Sequence, residues 1–262
     1  MCLVLNETEM ALASIEDRSL GERPSDTLRW IARYYLDEGL KEVDVRDKLE
    51  SFVIECAPNA SVAKWSKTID SAVTYAQKRS AVNVGYINIT RSELDAIAKI
   101  ESGRQTERLA FTLLCLAKYW NACNGSDSGW VNSEDALVMR LANIKTSIKR
   151  QCLLYHNLMD DGLISFSKRV DCTNVRVDFI DEDSEVVMKI SDLRNLGNRY
   201  LMYVGEPFFE CAECGTITKS SGATTGRKQK YCPDCAMKVA TKQKAESSSK
   251  YRVHKKAKKT IQ

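Results

Sequence analysis

The sequence predicts a mostly α-helical protein with a small β hairpin and a cysteine-based metal module near its C-terminus. Apolar residues recur at helical spacing over most of the first 160 residues, and the periodicity changes to alternation over residues 163–180. Two Cys-x-x-Cys pairs follow near the C-terminal end. With 262 residues and 44% hydrophobic content, the chain is long enough to bury more than one core.

The N-terminal part has the pattern of a small helical bundle. Residues 1–22 show weak periodicity, and we expect them to form a flexible lead-in. Three amphipathic helices with short connections are then predicted over residues 23–80. Their apolar stripes are Leu28, Ile31, Ala32 and Tyr35; Val45, Leu49, Phe52 and Val53; and Val62, Trp65, Ile69, Ala72 and Val73.

A second domain is predicted over residues 86–205. Residues 86–90 alternate like a short strand and lead into Thr90-Arg-Ser-Glu93, which has the spacing of a helix capping box. The first helix should end before Gly103. The next, from Arg108 to Ala122, is apolar on all sides, so we expect it to be buried.

The middle of this domain alternates helices with short strands. Trp130-Val131 can form a strand, and Asn132-Ser133 should cap a helix that ends near Leu141. The turn at 143–145 leads into a helix from Thr146 to Asp161. Residues 163–180 then alternate twice around a turn, which predicts a two-stranded hairpin.

This order of elements, over roughly residues 91–181, resembles a winged helix-turn-helix domain. The resemblance implies that the helix from Thr146 is a recognition helix and the hairpin a wing. At 100° per residue we expect Ile148, Cys152, Tyr155 and Met159 to face inward. The residues that we expect to contact nucleic acid here are Lys145, Thr146, Lys149, Arg150, Asn157, Lys168, Arg169 and Arg176.

The two cysteine pairs are Cys211-Ala-Glu-Cys214 and Cys232-Pro-Asp-Cys235, with 17 residues between them. Four thiolates from two such turns can bind one Zn²⁺ tetrahedrally, at Zn–S distances of about 2.3 Å. Four protein ligands leave no position for water, so the predicted role is structural. We therefore predict a zinc ribbon over residues 208–240. The alternative is two separate dithiols or a pair of disulfides.

Charge is distributed unevenly along the chain. Residues 211–262 carry 13 Lys and Arg against three Asp and Glu, a net charge of +10, whereas residues 1–210 carry −6. A basic C-terminal end on an acidic body favours contact with nucleic-acid phosphates. We expect residues 241–262 to be a basic disordered tail. The candidate contact residues at this end are Arg227, Lys228, Lys230, Lys255, Lys256, Lys258 and Lys259.

The sequence offers little for catalysis. It contains two histidines, and Cys152 and His156 are four residues apart on one predicted helix, where packing is the simpler interpretation. It contains no phosphate-binding Gly-rich motif and no His-Glu-x-x-His motif. We expect a protein that is not an enzyme. No stretch approaches the ~20 apolar residues of a membrane span, and we expect a cytoplasmic location.

The segments Phe209-Glu-Cys-Ala-Glu-Cys-Gly215 and Gln229-Lys-Tyr-Cys-Pro-Asp-Cys235, together with the winged-helix order, are similar to nucleic-acid-binding proteins of bacteriophages and other bacterial mobile elements. The resemblance implies an accessory or regulatory protein of replication or transcription that binds duplex DNA. The alternative is a protein-interaction factor that docks on and modulates a host enzyme complex. Leu153 on the outward helix face and the acidic residues at 181–185 favour that alternative.

Overall fold

The computed structural model describes residues 3–57, 61–168, 174–221 and 229–260, without the side chains of Val62 and of residues 249–260. Helices predominate and the strands are short, as predicted. The helices are α1 (Glu7–Glu16), α2 (Pro24–Asp37), α3 (Glu42–Cys56), α4 (Val62–Ala76), α5 (Arg91–Ala98), α6 (Arg104–Asn124), α7 (Asp135–Leu141), α8 (Ile148–Asp160), α9 (Leu196–Tyr203) and α10 (Pro233–Thr260). The strands are β1 (Ile87–Thr90), β2 (Trp130–Val131), β3 (Ile164–Phe166), β4 (Val175–Val177), β5 (Val186–Ile190), β6 (Phe208–Glu210) and β7 (Ile217–Lys219).

The chain forms two compact units. Unit 1 comprises Met1–Lys99, Leu114–Asn132 and Gly162–Leu193, and unit 2 comprises Ile100–Leu113, Ser133–Asp161 and Arg194–Gln262. The range 86–205, which we expected to form one domain, is therefore divided between the units. Helix α8 belongs to unit 2, whereas the hairpin that we assigned as a wing belongs to unit 1.

In unit 1 the first four helices pack around a common apolar core. The predicted stripe of α3 is buried in full, and the stripe of α2 is buried at its first three positions, with Tyr35 half-buried. In α4 the core positions are Ile69, Ala72 and Val73, with Trp65 packed against them. Helical periodicity predicted these contacts because each helix buries one continuous face.

The first 22 residues differ from the loose lead-in that we expected. Asn6 caps α1 by accepting a hydrogen bond from the backbone N–H of Glu9 over 2.9 Å, and Leu3, Leu5 and Ala11 are buried. The Glu7 carboxylate is also buried, and it forms an ion pair with the equally buried Arg33 guanidinium. A hydropathy pattern misses this helix because one of its core contacts is made by a charged residue.

Two small antiparallel sheets complete unit 1. Strand β1 pairs with β5, and the second sheet has the order β2-β4-β3, in which Trp130 is the partner of Arg176. The predicted capping box at the start of α5 is present: the Glu93 carboxylate accepts from the Thr90 backbone N–H over 2.8 Å. The buried Lys118 ammonium lies 2.7 Å from the same carboxylate, which ties α5 to α6.

Helix α6 is longer than predicted and contributes to both units. Every side chain from Leu109 to Tyr119 is buried, which confirms the prediction made from its all-round apolarity. In unit 2, α7 begins at Asp135 after the N-cap residue Glu134, so the expected cap at Asn132-Ser133 lies one to two residues too early. Helix α9 packs against β6 and β7.

The C-terminal segment is helical where we expected disorder. Helix α10 runs without a break from Pro233 to Thr260. Between Asp234 and Thr260 the sequence has no glycine or proline and is rich in Lys and Ala, residues of high helix propensity. Local propensity therefore accounts for the helix, and the side chains of residues 241–248 are all exposed.

The buried Glu7–Arg33 pair generates a stability prediction. Glu7→Ala leaves the Arg33 guanidinium buried without its carboxylate, so we expect the free energy of unfolding to fall by about 3–5 kcal/mol. Denaturation in urea measures this change. Glu9→Ala removes an exposed carboxylate from the same helical turn and should change stability by less than ~0.5 kcal/mol. Equal effects of the two substitutions would contradict a structural role for the buried pair.

Candidate metal centre and nucleic-acid interface

The β6–β7 hairpin and the start of α10 bring the four predicted cysteines together. Cys211 and Cys214 lie between the two strands, and Cys232 and Cys235 lie where α10 begins. Their four Sγ atoms all lie within 4.8 Å of one another, and Sγ of Cys214 is 3.8 Å from Sγ of Cys232. Tetrahedral coordination with bonds of about 2.3 Å requires sulfur–sulfur distances of roughly 3.8 Å. The cluster therefore has the dimensions of a site for one metal ion.

Backbone hydrogen bonds hold the two cysteine pairs against each other. The Cys232 N–H donates to Sγ of Cys211 over 3.3 Å, and the Ala212 N–H donates to the Lys230 carbonyl over 2.9 Å. The Gly215 N–H donates to the Cys211 carbonyl, and Gly215 has a φ of 67°, a left-handed conformation that glycine adopts without strain. Hydrogen bonds within the chain therefore hold the turn that carries Cys211 and Cys214.

The thiol pKa values differ within the cluster. Donation from the Cys232 backbone N–H lowers the pKa of Cys211 to about 6, and a hydrogen bond with the Thr216 side chain lowers the pKa of Cys214. Burial raises the pKa of Cys235 to about 12. Four neighbouring thiolates repel one another, so a bound cation is needed to ionise all four together. Sulfur-only tetrahedral sites suit zinc or iron–sulfur chemistry.

Helix α8 packs on a different face from the one we predicted. Leu154 and Leu158 are buried with Tyr155, whereas Ile148 is 77% exposed and Met159 is 39% exposed. The buried face is rotated by roughly 80° from the expected stripe, at 100° per residue. The prediction was wrong because apolar residues lie around much of this helix, so spacing alone permits two stripes. Tertiary packing selects the stripe that contains Leu154 and Leu158.

The rotation leaves the basic side chains of α8 outside. Lys145, Lys149 and Arg150 are exposed near the N-terminal end of the helix, where the Ser147 hydroxyl accepts from the Arg150 backbone N–H over 3.4 Å. Two further predicted contact residues, Thr146 and Asn157, are half-buried. The C-terminal end of the helix is acidic, with Asp160 and Asp161. The structure therefore groups three of the predicted basic residues at one end of α8.

The predicted wing contributes fewer free charges than expected. Lys168 is exposed, and Arg169 lies outside the described residues. Arg176 is exposed, but its guanidinium Nε lies 2.6 Å from the Asp178 carboxylate, so part of its charge is compensated. This ion pair weakens the case for Arg176 as a phosphate contact.

The acidic segment after the wing has a structural use. The Asp181 side chain accepts a hydrogen bond from the Ser92 hydroxyl, which lowers the pKa of Asp181. The Glu182 carboxylate lies 3.1 Å from the Lys118 ammonium, and the Glu185 carbonyl accepts from the Arg91 N–H. These residues hold the start of α5, so their presence in the sequence reflects packing as well as surface charge.

The basic residues of the C-terminal end are described only in part. Lys230 is exposed beside the cysteine cluster, and Arg227 and Lys228 lie outside the described residues. The other four candidates lie on the backbone of α10, and their side chains are not described; they are Lys255, Lys256, Lys258 and Lys259.

Two residues in and just before α9, which the sequence did not single out, contact the β6–β7 hairpin and its cysteines. The Asn198 side chain donates to the Ile217 carbonyl over 3.0 Å, and the Arg194 guanidinium donates to the Cys214 carbonyl over 3.1 Å. Periodicity gives no signal for such polar contacts. Gly197 is the one hint, because a glycine within a helix costs stability and so indicates a packing requirement.

The chain was compared with models of protein families, with curated proteins and with solved structures, and none of the three comparisons finds a match. Of the helices in the described part of the chain, none combines the length and the apolar character that crossing a membrane requires.

The cysteine geometry generates a prediction about metal content. The purified, reduced protein should carry one metal ion per chain, and Cys214→Ser should lose it because three sulfurs bind far more weakly than four. The loss should loosen residues 208–238 and leave the helices of unit 1 folded. Elemental analysis and circular dichroism measure the two effects.

Cys152→Ser provides the matched control, because Cys152 is an exposed cysteine on α8 outside the cluster. This variant should keep the full metal content. A parent protein that contains no metal after purification under reducing conditions would contradict the assignment of the cluster as a metal site.

Proposed function

We propose that this protein binds nucleic acid as an accessory or regulatory factor of replication or transcription. In this proposal duplex DNA is the ligand, unit 2 makes the principal contact, and one structural Zn²⁺ occupies the cysteine cluster. The relation to bacteriophage and other mobile-element proteins rests on the motif resemblance alone.

The observation that carries the proposal is the separation of charge between the two compact units. Unit 2 has 21 Lys and Arg against 11 Asp and Glu, a net charge of +10, and unit 1 has 18 against 24, a net charge of −6. The cysteine cluster, α8 and the lysine-rich α10 all belong to the positive unit. A locally positive surface attracts phosphates even when the whole chain is nearly neutral.

The position of charge on α8 supports contact by its N-terminal end. Recognition helices contact base edges mainly through residues near their N-termini, and positive charge near that end of α8 comes from Lys145, Lys149 and Arg150. Asp160 and Asp161 would repel phosphate at the other end. We therefore assign base contacts to the first turn of α8 and phosphate contacts to α10.

The order of elements from α5 to β4 favours a winged-helix arrangement as the framework. A short strand, β2, pairs with the second strand of the wing hairpin, and residues 142–147 connect α7 to α8. In this proposal Lys168 and Arg169, which belong to unit 1, remain predicted nucleic-acid contacts.

The competing proposal is a protein-interaction factor, and the exposed apolar side chains of α8 favour it. Ile148 and Leu153 are 77% and 44% exposed. Such residues suit a protein interface as well as a thymine methyl group. Under this alternative, α8 docks on a partner protein and the positive charge of unit 2 has no phosphate ligand.

Arg150→Ala tests whether α8 contacts DNA bases. Arg150 is exposed, so the substitution should leave stability unchanged within ~0.5 kcal/mol. It should weaken binding to a site selected from random duplexes by about 1–3 kcal/mol if the guanidinium contacts a base. Fluorescence anisotropy measures the affinity. Lys67→Ala removes an equal charge from an exposed position on α4 and should have little effect. Equal affinities of the two variants would favour the protein-partner alternative.

Deletion of residues 241–262 tests the electrostatic role of α10. The segment holds eight Lys and Arg against one acid, Glu246, so its contribution should be Coulombic. The log of the affinity of the parent protein should fall linearly with the log of the salt concentration, by about 0.9 per phosphate neutralised. The truncated protein should show a shallower slope and weaker binding to all sequences alike.

Preference among sequences should survive the truncation, and metal content provides the check that the cysteine cluster remains intact. An unchanged salt slope combined with lost discrimination between sites would mean that the segment contacts bases. Absence of salt-dependent binding in the parent protein would contradict the proposal as a whole.

A further inference from the structure

Helix α9 contacts both the β6–β7 hairpin and the turn that precedes α8. Its residue Asn198 is buried, with 6% of its surface exposed, and both polar atoms of its amide are used. The Oδ1 atom accepts from Nδ2 of Asn143 over 2.7 Å, and the Nδ2 atom donates to the Ile217 carbonyl over 3.0 Å. One side chain therefore joins the α7–α8 turn to strand β7 of the cysteine hairpin.

The turn itself depends on an unusual backbone position. Asn143 has a φ of 53°, in the left-handed region, where asparagine is among the few residues tolerated other than glycine. Its carbonyl accepts from the Arg108 guanidinium over 3.3 Å, and its side chain donates to Asn198. The following residue, Ile144, is buried and its N–H donates to the Met139 carbonyl over 2.9 Å. These bonds set the direction in which the chain enters α8.

Close backbone packing reinforces the same contact. A Cβ atom placed on Gly197 would lie 1.9 Å from the Ala142 carbonyl oxygen and 2.5 Å from its carbon, so no side chain is possible there. Ala142 is the C-cap residue that follows α7. The backbone of α9 therefore touches the start of the turn directly, which explains the glycine within this helix.

The other side of α9 depends on the cysteine cluster. Ile217 is buried in β7 and pairs with Glu210 of β6, directly before Cys211. Arg194 donates to the Cys214 carbonyl. The buried cluster that joins the hairpin to the start of α10 consists of cysteines, so the hairpin geometry depends on their being held together. Loss of the metal would therefore displace the carbonyl that Asn198 requires.

We propose that Asn198 is a positioning residue that couples occupancy of the metal centre to the geometry of the α7–α8 turn, and hence to the orientation of α8. Its relevance to nucleic-acid binding rests on the proposed function; the coupling itself does not. When the hairpin loosens, Asn198 loses the Ile217 carbonyl, and a buried amide with an unsatisfied donor no longer holds Asn143. Metal binding then regulates α8 without a contact between the metal and the nucleic acid.

Hydrogen exchange on the full-length protein tests the coupling without any nucleic acid. The reporters are the backbone amides of Asn143, Ile144 and Gln151, which donate hydrogen bonds within or next to the turn. Removal of the metal with a chelator should raise their exchange rates by roughly 5- to 150-fold, the range of typical coupling between two sites. Amides of α3, in unit 1, should not change. Unchanged exchange at the turn in the parent protein would overturn the proposal.

Asn198→Asp separates the two hydrogen bonds of the side chain. The aspartate is isosteric and keeps an acceptor for Asn143, but it replaces the donor to the Ile217 carbonyl with a second oxygen. In this variant, chelation should still speed exchange in the β6–β7 hairpin, and the turn amides should no longer respond to the metal. Asn124→Ala, at an exposed position on α6 in unit 1, should behave like the parent. A turn that still responds fully to the metal in Asn198→Asp would contradict the role of this residue.

The metal content of Asn198→Asp shows whether its cysteine cluster still forms. If this variant does not fold, the chelation experiment on the parent protein still tests the coupling. The outcomes also separate the two proposals. If the metal is coupled to the turn but the protein does not bind DNA, Asn198 is still a positioning residue and the proposed function is contradicted. If chelation changes neither the affinity for DNA nor the exchange at the turn, the coupling is contradicted and the proposed function is not.

Discussion

The convergence of four cysteine sulfurs is the constraint on which the C-terminal part of the chain depends. The buried cluster of this segment consists of Cys211, Cys232 and Cys235, with Cys214 and Tyr231 packed against it. Apolar burial of that size cannot offset the conformational entropy of ordering the hairpin. A metal ion bound by the four sulfurs would take the place of a hydrophobic core, and metal binding and folding of the hairpin would then be one process. Helix α9 then depends on the hairpin for the carbonyl groups that its polar side chains contact.

The two compact units use charge in opposite ways. In unit 1 two buried carboxylates form internal ion pairs: Glu7 pairs with Arg33, and Glu93 pairs with Lys118. Breaking such pairs is costly because it leaves an isolated charge in a medium of low dielectric. In unit 2 the basic side chains near the N-terminal end of α8 are exposed, and the excess of positive charge lies in residues 194–262. Carboxylates of unit 1 thus serve internal contacts, whereas unit 2 carries the excess of positive charge on which the proposed function rests.

Prediction from sequence succeeded where one local rule sufficed. The stripe of α3, the capping box at Thr90 and Glu93, and the four cysteines each follow from spacing along a single segment. It failed where two local solutions compete: apolar residues surround α8, and only packing selects the face with Leu154 and Leu158. It failed also for α1, because Glu7 is a core residue only when Arg33 is opposite. A partner 26 residues away is invisible to a periodicity argument.

By itself, therefore, the sequence determined the helical class, the four cysteines that cluster and the concentration of positive charge at the C-terminal end. These properties depend on composition and on short-range spacing, which the chain carries in any conformation. The tertiary structure alone decided which face of α8 is exposed, how β1 pairs with β5, and that Asn198 joins the turn before α8 to the cysteine hairpin. The reason is physical: each of these features is a contact between segments distant along the chain, and its geometry exists only after those segments have packed.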